Sequence, residues 1–338
     1  MKKTLLMSWL ALLIALGLPW LRLGAPMPET AQTVAPTSVP APPAPETSPP
    51  PTPEPQPLRA APPAPETVTV LTDGGVETMD LQDYLVGVVA AEMPASFPAE
   101  ALKAQAVAAR SYALYCARSA KHGQAQVCTD PGCCQAWQSD WQLRDKWGES
   151  YEANLARIRA AVEATAGQYL AYEGQAAFAA FHSSSAGATE ACGAIWSDVP
   201  YLISVSSPET ADTVPNYVSR VQCLPLDLRD TLLSVCPEAD FTGSPESWLG
   251  PEERDESSRV ASLTLGGVPF SGAQLRSLFG LRSTAFTLSL EEGLFTFTVT
   301  GFGHGVGMSQ YGAKTLAEEG SDYAAILAHY YPGTDLIT

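Results

Sequence analysis

Glu92 closes the apolar run GVVAAE at residues 87–92. A lone carboxylate in that setting is a candidate general acid, because burial favours its neutral form and a neutral carboxyl has a proton to give. Further on, Lys103 and Arg110 stand i, i+7 apart with Ala106 and Val107 between them. On a helix the four share one face, so two cations flank a low apolar floor, suited to holding Glu92 or to orienting polar groups of a substrate. Taken alone, these spacings equally describe a surface glutamate and a solvated basic face.

Three further stretches carry reactive side chains. KHGQAQVCTDPGCCQAW, residues 121–137, sets His122, Cys128, Cys133 and Cys134 in one short loop. Imidazole and thiolate suit zinc, although the spacing is none of the common finger patterns, and a disulfide is the alternative. His182 precedes Ser183, Ser184 and Ser185, but no G-x-S-x-G elbow surrounds them and a serine hydrolase is not indicated. GFGHGVGMSQYGAK, residues 301–314, alternates glycine but lacks the G-K-[ST] ending of a phosphate loop. Such glycines permit close backbone approach and offer His304, Ser309, Gln310 and Tyr311 as cleft-wall groups. His304 fits a buried structural histidine as well, and Tyr201 in VPYLISV reads either as a stacking platform or as core.

These groups need elements to hold them. Leu81, Tyr84, Leu85, Val88, Val89 and Glu92 recur at helical spacing, which predicts a helix with Glu92 on its buried stripe and Pro94 just beyond its end. The carboxylate then sits near the negative end of the helix dipole, which again disfavours ionisation. A second helix is expected from Pro98, with Glu100 in its first turn. Gln175 to Phe181 and Leu294 to Val299 read as strands, Gly272 to Phe279 as a short helix, and Tyr323 to Tyr331 as a closing helix stopped by Pro332 and Gly333. Residues Gln222 to Arg259 follow no readable pattern and are expected to form a variable excursion.

The beginning of the chain is of another kind. Lys2 and Lys3 precede an apolar run, Leu5 to Leu21, closed by Arg22. Residues 1–24 are read as a membrane anchor or an export signal; both place the remainder outside the cytoplasm, and the anchor reading gives a single-pass protein of the cell membrane. Residues 25–66 hold more than half of the 29 prolines and carry APPAPET twice. They read as a disordered, extended spacer reaching on the order of 100 Å at ~3.1 Å per residue. The net charge of −17 argues against nucleic acid and anionic lipid surfaces as ligands, and leaves neutral polymers open. Seven cysteines in an exported chain suggest disulfides with at least one thiol over, Cys223 with Cys236 being one candidate pair.

AAEMP followed by FPAEALKAQAVAARSYAL, then AAFHSSSAGATEACGAIWSDVPYLISVSSPE, then FTVTGFGHGVGMSQYGAKTLAEEGSDYAAILAHYYPGTDL, resemble in order the three motifs of the stage II sporulation protein D (SpoIID/amidase-enhancer) family. The resemblance spans roughly residues 68 to 338. It implies a lytic transglycosylase that cuts peptidoglycan glycan strands stripped of stem peptides during engulfment of the forespore, with Glu92 at the catalytic position. One carboxyl serves in turn as acid and base in that reaction, so the absence of a second carboxylate motif is no objection. Lys103 and Arg110 match the family's basic positions and become candidates for orienting substrate or tuning Glu92. His182, Ser184, Tyr201, His304, Ser309, Gln310 and Tyr311 become candidates for the wall of a glycan cleft. Some relatives bind zinc through a histidine and two cysteines spaced as His122, Cys128 and Cys134 are, which implies a structural zinc here; Cys133 is a competing thiolate. The implied partners are a peptidoglycan amidase or peptidase and a membrane scaffold of the engulfment machinery.

The expectation is therefore an α+β domain at 67–338, with helices near 79–118 and 150–165 and short strands around a cleft carrying Glu92. A noncatalytic amidase enhancer, which binds glycan and stimulates a partner hydrolase, is the alternative the same resemblance allows.

Overall fold

The computed structural model describes residues 63–119 and 121–338. The anchor expected at 1–24, and nearly all of the spacer expected at 25–66, lie outside the described residues. Among the described residues no helix is long and apolar enough to cross a membrane.

The hairpin β1 (Thr67–Thr72) and β2 (Gly75–Asp80) runs directly into helix α1 (Leu81–Glu92). Asp80 makes the turn possible, its Oδ1 accepting the N–H groups of Gln82 and Asp83 at 2.8 and 3.1 Å and so satisfying two orphan donors. The helix stops at Met93, which is extended at φ −120°. The residue before a proline is driven out of the helical region, so Pro94 sets that end. Helix α2 (Ala99–Cys116) follows with Pro98 as its N-cap.

Helix α2 is the axis of the larger core. Ala101, Ala104, Ala106, Ala108, Ala109 and Ala113 are all buried along it. With no bulk beyond Cβ on any of them, α1, α4 (Tyr151–Ala164), α8 (Gln310–Glu318), α9 (Tyr323–Tyr330) and strand β4 (Tyr169–Tyr172) pack against α2 from every side. Leu85, Val88 and Val89 of α1 are fully buried there, each worth about 1.5–3 kcal/mol in transfer from water. Between α2 and α4 run a two-residue strand, β3 (Val127–Cys128), parallel to β1, and the short helix α3 (Asp140–Trp147), opened by a Ser139–Gln142 capping box.

The strand expected from Gln175 to Phe181 is corrected: the structure has β5 (Gln175–Ala176), an irregular stretch, and β6 (Phe181–His182). β5 pairs with β4, whereas β6 pairs in parallel with the later β13 (Met308–Ser309). This pairing brings HSSS against the glycine-rich stretch. It needs the glycines: a Cβ on Gly307, at φ +70°, would lie 2.0 Å from the Ala180 carbonyl oxygen.

The variable excursion expected at Gln222 to Arg259 is ordered in the structure. After the short helix α5 (Cys192–Ile195), the chain builds a second core of its own. Strands β7 (Val218–Cys223), β11 (Phe286–Glu291) and β12 (Leu294–Thr300) form one antiparallel sheet in the order β11-β12-β7. Strands β8 (Leu249–Arg254), β9 (Val260–Leu265) and β10 (Val268–Ser271) form another. Helix α6 (Pro225–Leu233) and the predicted helix α7 (Gly272–Phe279) close the core, with Leu228, Leu232, Trp248, Leu275, Phe295 and Phe297 buried between them and the strands. Cys223 and Cys236 belong to this lobe, and both are free thiols, as all seven cysteines are. β14 (Asp335–Ile337) ends the chain, antiparallel to β4. The architecture is α+β, as expected.

Candidate active site

Glu92 is the last residue of α1, partly open to solvent on the rim of a cavity of about 460 Å³. Its Oε1 accepts the Ala136 backbone N–H at 2.7 Å, and its Oε2 accepts the Gln310 side-chain amide at 3.2 Å. Burial raises the carboxyl above its ordinary pKa, and the two hydrogen bonds only partly offset that. No lysine or arginine forms an ion pair with Glu92 among the described residues. The group is therefore a carboxyl flanked by two neutral donors, one backbone and one side chain, beside open space.

Each donor is positioned from a distant part of the chain. Ala136 follows the cysteine loop, and its approach depends on Gly87 in α1, whose carbonyl accepts Gln138 N–H at 3.3 Å. Gln310 opens α8, capped by Ser309, whose Oγ takes the Gly312 N–H and donates to buried Glu209. Glu209 also accepts the Ser185 N–H and the Ser207 hydroxyl, each at 2.6 Å. One buried carboxylate thus ties HSSS to the start of α8 and aims Gln310.

The cavity wall runs from Ala91 to Ser96 and continues with Lys146, Trp147 and Asn154. Lys146 Nζ donates to the Ala90 carbonyl at 3.0 Å and to Gln138 Oε1 at 3.1 Å, placing a cation at the carbonyl end of α1. Burial lowers its pKa. Trp147 is half-buried, an aromatic face beside the carboxyl. Lys146, Trp147 and Asn154 carried no sequence signal, because α3 and α4 are amphipathic helices of ordinary composition. The Ala136 donor is a backbone group and is invisible by type.

The sequence candidates divide sharply. Gln310 touches Glu92, and Tyr311 stacks edge-on against Phe97, 5.1 Å between centroids, just past the cavity wall. Arg110 is 0% exposed and clamps the chain internally. Its guanidinium donates to the Thr165 and Gln168 carbonyls at 2.8 Å and to Gln82 Oε1 at 3.1 Å. Lys103 pairs with Glu100 at 2.7 Å and lies 5.7 Å over Tyr323, away from the cavity wall. His182, Ser184, Tyr201 and Ser309 are buried. His182 is held by Val306 O and Ser185 Oγ, and Tyr201 accepts the Phe178 N–H at 2.6 Å. His304 packs 4.9 Å from Trp196, with its Nδ1 accepting the Val306 N–H. Burial, helped by nearby Arg276, pulls its pKa down to about 4, so the ring is neutral at neutral pH.

The metal candidates do converge. The ligand atoms of His122, Cys128, Cys133 and Cys134 all lie within 4.8 Å of one another. Cys133, set apart in the sequence reading as a competitor, is part of the group.

Comparison with known proteins gives the family of the chain. A family profile described as Stage II sporulation protein matches residues 72–172. Stage II sporulation protein D of Bacillus amyloliquefaciens is 38% identical over 265 residues, covering 77% of this chain and 75% of the relative. The protein of the same name from Bacillus subtilis (strain 168) is 37% identical over the same coverage. An Amidase enhancer of Bacillus subtilis (strain 168) is 31% identical over 300 residues, covering 75% of this chain and 40% of the relative. With more than a third of positions identical across three quarters of both chains, this protein belongs to the stage II sporulation protein D family.

Proposed function

We propose that the chain is a peptidoglycan lytic transglycosylase in which Glu92 is the single acid and base. The observation that carries the reading is the state of that carboxyl: raised in pKa by burial, paired with no lysine or arginine among the described residues, and bordering a cavity. Neutral Glu92 gives its proton to the glycosidic oxygen as the C1–O4 bond of N-acetylmuramic acid breaks. The resulting carboxylate takes the proton of the C6 hydroxyl as O6 bonds to C1, which closes a 1,6-anhydro ring and restores neutral Glu92. No water is consumed. Ala136 N–H and Gln310 steady the carboxylate between the two steps, and Trp147 offers an apolar face to a sugar ring.

Zinc, which the family resemblance implies, finds a fitting donor set of imidazole and thiolates around His122, Cys128 and Cys134. It would act there as a structural tie. The expected anchor and spacer suit a tether at the outer face of the cell membrane, beside the amidase or peptidase that strips the strands and a membrane scaffold.

The competing reading is a noncatalytic enhancer, supported by the similarity to a protein named Amidase enhancer. Incubating the chain, and separately its Glu92→Gln variant, with stem-peptide-free glycan strands distinguishes the two. New 1,6-anhydro ends by mass spectrometry from the wild type alone are the expected result; strand binding without cutting by either protein would favour the enhancer.

A further inference from the structure

A site of one histidine and two cysteines leaves a metal with an open position. This chain differs, because the Asp130 turn directs two consecutive thiols inward. The Asp130 carbonyl accepts both the Cys133 and the Cys134 N–H, at 3.0 and 2.8 Å, and its Oδ1 accepts Gly132 N–H at 2.8 Å. Cys128 is fixed separately by the parallel pairing of Leu71 with Cys128. His122 Nε2 stands 3.2 Å from Cys134 Sγ and 3.7 Å from Cys133 Sγ.

We infer that Cys133 is a fourth protein ligand, so that His122, Cys128, Cys133 and Cys134 form a closed zinc site of three thiolates and one imidazole. Tetrahedral zinc with its usual bond lengths sets ligand atoms about 3.5–3.8 Å apart. The two His122 spacings of 3.2 and 3.7 Å lie just below and within that range, and the outer limit of 4.8 Å leaves about an ångström of contraction. Three thiolates around a dication leave one net negative charge; Lys121, whose Nζ donates to the Cys133 carbonyl at 2.7 Å, lies beside it. Cys116 falls outside the set. With no open position the metal can take no exogenous ligand, and its role is structural. It holds the segment that, two residues past Cys134, presents Ala136 N–H to Glu92.

The test is cobalt(II) substitution of the full chain, followed by absorption spectroscopy and by alkylation with mass spectrometry of each cysteine. The wild type should bind one equivalent with tetrahedral ligand-field bands and a thiolate-to-metal band unmoved by azide. Cys133→Ser should lose roughly a third of that charge-transfer intensity and become azide-responsive, whereas Cys116→Ser should match the wild type. Two outcomes would overturn the proposal. One is a wild-type spectrum that responds to azide and equals that of Cys133→Ser. The other is a disulfide at Cys133 with no metal bound.

Discussion

Gly87 lies so close to Trp137 that a Cβ added to it would sit 2.3 Å from the indole Nε1 and 2.8 Å from the Gln138 carbonyl. That contact lets residues 135–138 lie flat on α1 and carry the Ala136 N–H to Glu92. Gly87→Ala gains about 1 kcal/mol of helix propensity, but overpacking against a ring and a backbone oxygen costs about 1–3 kcal/mol. The expected result is a modest fall in melting temperature with a disproportionate loss of 1,6-anhydro product. Full activity in the folded variant would mean that the Ala136 donor is dispensable.

Arg110 separates a structural from a substrate role. Its guanidinium is the only side chain joining α1, α2 and the turn after α4 through three hydrogen bonds to Gln82, Thr165 and Gln168 among the described residues. Charged hydrogen bonds of this kind are worth about 1.5–3 kcal/mol each, so Arg110→Met should lose several kcal/mol in denaturant unfolding. Glycan affinity, measured per folded molecule, should stay unchanged. A weakened affinity with normal stability would return Arg110 to the substrate.

Glu92 is expected to link pH to stability and to the proposed activity. Its folded pKa is raised, so the folded state binds the proton more tightly than the unfolded chain does. Stability from this group is complete below the unfolded carboxyl pKa and is lost as pH rises through the folded pKa. Glu92→Gln removes that dependence, and Gln310 can turn its amide to meet the new side chain. The melting temperature of Glu92→Gln should therefore gain on the wild type as pH rises across this window. In the wild type, product formation should fall on the alkaline side of the same raised pKa. A difference between the two proteins that is flat with pH would show that the carboxyl ionises without penalty.

Local patterns carried much of this structure. The i, i+3, i+4 stripe of α1 and the proline after it gave the helix and the address of Glu92 to within a residue. The second lobe was hidden because its exposed edge strand, LGPEER, is polar and holds a proline, while its burial comes from residues far apart such as Leu228 and Phe295. The basic pair on α2 parts company for a related reason. Lys103 and Arg110 share a face by spacing, but α4 and the turn beyond it cover only the latter, and spacing is silent about what covers a face. Glu209 was equally hidden, as two of its three partners, Ser185 and Ser309, come from distant segments.

Trp147 provides the sharpest test of the cavity as a glycan site. It borders Glu92's cavity and packs against Tyr151, 6.3 Å between centroids, without lying deep in the core. If a pyranose stacks on its exposed face, Trp147→Ala removes binding energy shared by ground and transition states, which raises KM roughly tenfold for about 1.4 kcal/mol and leaves kcat nearly unchanged. Trp147→Phe keeps an aromatic face and should recover most of the loss. Steady-state kinetics on stem-peptide-free strands reads both numbers. A drop in kcat with KM constant would instead assign Trp147 to holding α3 and Lys146 against the end of α1, because Lys146 is its neighbour and bonds the Ala90 carbonyl two residues before Glu92.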